Sequence, residues 1–85
     1  MDEKTLQYLG ERVDKAREIV KKIGVLKDFI KRSEGKCTIE INGDGRGSVR
    51  IHSYDFRRLA ANAKVAVLNQ VEEEIKLLEQ ELDEL

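Results

Sequence analysis

The stretch Leu68-Asn69-Gln70-Val71-Glu72-Glu73-Glu74-Ile75-Lys76-Leu77-Leu78-Glu79-Gln80-Glu81-Leu82-Asp83-Glu84-Leu85 decides the fold. Its residues Leu68, Val71, Ile75, Leu78, Leu82 and Leu85 recur in steps of three and four, and Glu fills most positions between them. On an α-helix that spacing puts the apolar side chains on one stripe. The pattern predicts a heptad seam on a long amphipathic helix that must find a partner.

Upstream, residues 59–67 are rich in alanine, and small side chains let another backbone come close. Ser53 fits an N-cap and Asp55 an acidic first turn, so the helix is expected over about 54–84. The N-terminal part repeats the seam with Leu6, Leu9, Val13, Ala16, Val20 and Ile23, and Leu26, Phe29 and Ile30 extend its apolar face. This predicts a first helix over about 3–33. Asp2 would cap it, Glu3 would favour its first turn, and Gly35 would close it behind the basic pair Lys31 and Arg32. Gly10 and Gly24 lie inside it. They are either tolerated breaks in propensity or points where a second helix approaches closely.

Between the helices, Cys37, Ile39 and Ile41 alternate with polar residues, as do Val49 and Ile51. Two strands follow, over about 36–42 and 48–52. Apolar side chains share one face of the ribbon only if Ile41 faces Val49 and Ile39 faces Ile51. That register requires a loop of three or five residues, with glycines from the Gly43-Asp44-Gly45-Arg46-Gly47 run in left-handed conformations. The expected fold is α+β and mostly α. It is an antiparallel helical hairpin, or coiled coil, with an intervening two-stranded β-hairpin, in one domain over 1–85. The helices are of nearly equal length and a short hairpin joins them, so facing residue numbers should sum to about 87 or 88: Leu6 faces Leu82, Leu9 faces Leu78, Val13 faces Ile75, Ala16 faces Val71, Val20 faces Leu68 and Gly24 faces Ala63. A bare helical hairpin leaves apolar surface wet at Val25, Val67 and Leu77. The expectation is therefore a homo-oligomer, dimer or higher, with the seam Leu6, Leu9, Val13, Val20, Ile23, Leu68, Val71, Ile75, Leu78 and Leu82 in its core.

Composition narrows the function classes. The 85 residues include no Trp, no Pro and one Cys, and 39% are charged. A chain this short buries a limited core. Cys37 alone permits neither an internal disulfide nor a Cys-based zinc site, which points to a reducing, cytoplasmic setting. The residues Asp2, Glu3 and Lys4 are unlike a signal peptide, and no apolar run approaches a membrane span. The net charge of −1 conceals a gradient: 27–58 carries eight bases against five acids, whereas 72–85 carries seven acids and one Lys.

The basic middle holds the candidate site. Lys36, Arg46, Arg50, His52, Arg57 and Arg58 would surround an anion, with Tyr54 or Phe56 to stack on it and the amides of Gly43, Gly45 and Gly47 to donate to it. The competing reading is a solvated basic end balancing the acidic tail. The 40–51 segment fails the calcium-loop pattern at Gly47 and Ile51, and the glycines lack the strand or helix context of nucleotide loops. Cys37 reads as a small core residue. No acid–base pair or nucleophile is specified, so neither enzymatic activity nor a cofactor nor a metal is expected. Double-stranded DNA is disfavoured as a partner, because the rod's far end is acidic.

In topology the chain resembles the β-type subunit of prefoldin, a hexameric chaperone of long helix, β-hairpin and long helix. The run 71–82 resembles the end of small phage and prophage proteins that pair such a helix with a preceding ribbon. The phage resemblance implies an inhibitor or sponge of host defence. It would sit in the host cytoplasm and bind a nucleotide signal or a defence protein. The prefoldin resemblance implies a structural or chaperone-like assembly module acting through apolar helix faces.

Overall fold

The computed structural model describes residues 3–85, and Asp2, the expected cap, lies outside them. The element order is α1 (Glu3–Arg32), β1 (Ile39–Gly43), β2 (Gly47–Ile51) and α2 (Arg57–Asp83). Neither helix is long and apolar enough to cross a membrane.

Helix α1 ends where its side chains and a glycine turn the chain. Lys31 and Arg32 occupy its last turn, where positive charge offsets the helix dipole. The Ser33 hydroxyl donates to the Ile30 carbonyl at 2.7 Å. The Ser33 amide donates to the Phe29 carbonyl at 3.0 Å. Gly35 then takes φ +74°, the left-handed conformation that ends many helices.

The ribbon has the register required by the apolar alternation, with Ile39 opposite Ile51 and Ile41 opposite Val49. Its loop is the three residues Asp44, Gly45 and Arg46, and Gly45 and Gly47 have φ of +72° and +79°. The strand does not begin near residue 36 as expected. Ile39 is the first residue with a partner, because Ile51 is the last residue of β2 and the chain turns away at His52. Cys37 lies outside the strand and is exposed, so it is not a core residue.

Helix α2 also starts later than the Ser53 cap implies. The amides of Asp55 and Phe56 both donate to the His52 carbonyl, at 3.1 and 3.0 Å, which folds 52–56 into a tight turn. Phe56 is the N-cap residue and makes no side-chain cap bond, and the first turn carries no acid. Ser53 and Asp55 therefore belong to the turn rather than to the helix.

The helices run antiparallel but slide past the level arrangement. Leu85 lines one surface depression with Tyr8, Arg12 and Lys15. Leu78 and Glu74 share another with Lys22 and Leu26. Leu26 shares a third with Val67 and Val71. The expected pairs, such as Leu6 with Leu82 or Val20 with Leu68, are replaced by neighbours shifted about ten residues, roughly three turns. The cause lies in the connection. The 33–38 segment runs along the start of α2 instead of turning at the tip, so α2 begins beyond the end of α1. The slide sets Ile19 and Ile23 against Ile75 and Leu78, with Leu26, Ile30, Val71, Leu82 and Leu85 around them. Leu6, Leu9, Val13 and Val20 stay exposed within the chain, at 55, 42, 49 and 55%. Gly24 does not meet Ala63, and an added Cβ at Gly10 or Gly24 would touch nothing within 4 Å.

Candidate functional site

The basic residues of the ribbon end divide into three places. At the first, the segment leaving α1 crosses the start of α2. Helix periodicity puts Arg57, Ala60, Ala61 and Lys64 on one face of α2, at steps of three, one and three. Two of these are alanines, and Ala60 is the most buried core residue, 1% exposed. The main chain at 35–37 can therefore pass close by. Lys64 Nζ donates to the Lys36 carbonyl at 2.6 Å and ties segment to helix. An ammonium that gives one proton to a carbonyl keeps its charge and two further donors.

The result is an open cavity of about 490 Å³ whose walls include Lys36, Tyr54, Arg57 and Lys64, with Ala60 and Ala61 beneath. No acidic residue lines it. None of the three cations forms an ion pair with a carboxylate among the described residues. Tyr54 is held beside His52, their rings stacked at 5.0 Å and 18°. His52 thus positions the tyrosine, which remains 78% exposed at the cavity wall.

The second place lies around the turn into α2. A depression of about 410 Å³ is lined by Asp55, Phe56, Arg57, Arg58, Leu59 and Asn62. Here the carboxylate of Asp55 shares the wall with Arg58 and weakens its field for an anion. Arg57 borders both depressions and links them.

The third place is the ribbon. Arg50 lies opposite Glu40 and binds it through Nε at 3.0 Å, so its charge is already matched. Arg46 sits in the loop, its amide 3.5 Å from the Gly43 carbonyl, away from the residues that line the first cavity. Gly43 and Gly47 are ladder partners beside it. Lys36, Tyr54 and Arg57 therefore come together with His52 in support, while Arg46, Arg50, Arg58 and the glycine amides do not join them. Lys64 was missed by the sequence reading. Its signal was the alanine pair three and four residues before it, which marks a face that another backbone covers.

Comparison with known protein families, with curated proteins and with solved structures gave no match.

Proposed function

We propose that this chain is a non-enzymatic binding protein, assembled as a homo-oligomer, that holds an anionic ligand at the cavity between Lys36, Tyr54, Arg57 and Lys64. The carrying observation is that Lys36, Arg57, Lys64 and Tyr54 line one cavity whose lining residues include no carboxylate. Guanidinium and ammonium groups suit phosphate oxygens, and the exposed Tyr54 ring offers a face for a base. A nucleotide fits both requirements at once. The cavity volume also lies in the range of small-molecule sites. An acidic protein surface is the alternative anionic partner at the same residues. In a phage setting such a protein would act as an inhibitor or sponge, withdrawing a nucleotide signal or a defence protein from use.

Calorimetric titration with ATP tests this. The intact protein should bind, and binding should weaken as salt rises. Lys36→Glu with Arg57→Glu should lower affinity at least about tenfold, since each charge-assisted hydrogen bond is worth more than a neutral one. Both residues are exposed, so the fold should survive the change. Unchanged ATP binding in the double variant would refute the assignment.

A second reading is a structural or chaperone-like module that grips partners by apolar surface. It is favoured by Ile41 and Val49, opposite each other on the ribbon and 66 and 68% exposed. Binding by that route would persist at high salt, which separates the two.

A further inference from the structure

We propose that a second copy of this chain covers the α1 stripe of Leu6, Leu9, Val13 and Val20, the two α1 helices running antiparallel about a two-fold axis close to Val13. This gives a surface to the self-association proposed above, and rests on that part of the reading rather than on the anion site.

The stripe is distinct from the one that α1 turns to α2. At about 100° per residue, Leu6, Leu9, Val13 and Val20 centre roughly 100° around the helix from Ile19, Ile23, Leu26 and Ile30. Val13 and Val20 are exposed because of that rotation. Leu6 and Leu9 are exposed also because about two turns of α1 run on past the end of α2, which reaches only the level of Arg12. A short helical extension without a packed face is marginal in water, so these turns need a neighbour.

Area argues that the neighbour is another copy of this chain. A compact monomer of 9.8 kDa exposes roughly 5,200 Å². This chain exposes 7450 Å² over a body of 64 × 29 × 15 Å. The excess is above the roughly 800 Å² per partner of an ordinary interface, and is of the size that obligate homodimers bury. Folding alone leaves that surface wet; pairing of like chains removes it from both partners at once.

Charge selects the helix and the direction. Along α1 from residue 3 to 20 there are four acids (Glu3, Glu11, Asp14 and Glu18) and four bases (Lys4, Arg12, Lys15 and Arg17), so like can meet like without net repulsion. The same is untrue of α2, where 72–84 holds seven acids and Lys76 alone to oppose them. A parallel pair would set two such tails at the same height. The antiparallel pair runs the two tails away from each other on either side of the axis, so that only their last residues share a height.

The test uses the full chain. Sedimentation should find a dimer, and Leu9→Glu with Val13→Glu should raise its dissociation constant at least about 30-fold. The urea midpoint of that variant in dilute solution should match the parent, because neither residue belongs to the core of the single chain. In a Cys37→Ser background, Val13→Cys should oxidise to a linked dimer. Leu6→Cys should not, since its copies would lie about 21 Å apart along the axis. A dimer that survives both glutamates would overturn this surface and leave self-association standing. Cross-linking through Leu6→Cys as readily as through Val13→Cys would overturn the antiparallel arrangement. A chain that stays monomeric at every concentration would overturn the surface and the homo-oligomer together, without touching ATP binding.

Discussion

The two halves of α1 carry the same kind of pattern and meet different fates. Residues 19–30 place Ile19 and Ile23 in the core. Residues 6–13 place Leu6, Leu9 and Val13 in water, although their spacing is just as regular. The difference teaches that periodicity shows which faces of a helix are apolar, but not which of them finds a partner within the chain. Here the position of α2 is set by the 33–38 segment and by the turn at 52–56. The largest effect expected across this comparison is therefore a stability difference. Ile75→Ala should cost about 2 to 5 kcal/mol, the usual range for truncating a buried isoleucine. For so small a core that is a large share of the total. Leu6→Ala, at a dilution where the chain is monomeric, should leave the urea midpoint nearly unchanged. Equal losses at the two positions would mean that Leu6 is covered within the single chain.

Much of the fold was legible because short-range chemistry controls it. The ribbon register followed from Ile39, Ile41, Val49 and Ile51, since a slip by one residue would invert every side chain. The glycine after α1 followed from Gly35 behind two basic residues. What escaped was long-range. Level helices were the simplest reading of two similar lengths, yet Ala60 and Ala61 mark a face that a backbone crosses, and that crossing displaces α2. The Ser53 cap failed for a related reason: the His52 carbonyl takes two amides and spends those residues on a turn. At the site, charge clustering located the basic end but did not sort it. The pairing of Arg50 with Glu40 depends on the cross-strand register, and the arrival of Lys64 depends on the slide.

Glycines sharpen the contrast between the rod and the ribbon at about 1 kcal/mol, with opposite signs. Gly47→Ala should destabilise, because φ of +79° is costly for a residue with a Cβ. Gly24→Ala should stabilise by up to about 1 kcal/mol, because the helix gains propensity and the new methyl meets nothing within 4 Å. Denaturation of both variants in dilute solution checks the pair. A loss at Gly24 would show that another helix approaches it even there.

The smallest effect concerns the two kinds of cation at the ribbon end. The Arg50 and Glu40 side chains are 55 and 37% exposed, so water screens their ion pair. Such pairs contribute well under about 1 kcal/mol. Arg50→Ala should shift the denaturation midpoint slightly, and that shift should vanish as salt rises. Its more telling result is at the proposed binding site. A guanidinium already matched by a carboxylate adds little field for an incoming anion, whereas Arg57 has no such partner among the described residues. Arg50→Ala should therefore leave the ATP affinity within about twofold of the parent under conditions where the charge reversal at Lys36 and Arg57 removes it. A large loss from Arg50→Ala would return the site to the ribbon, and would mean that the ligand displaces Glu40 to reach the arginine.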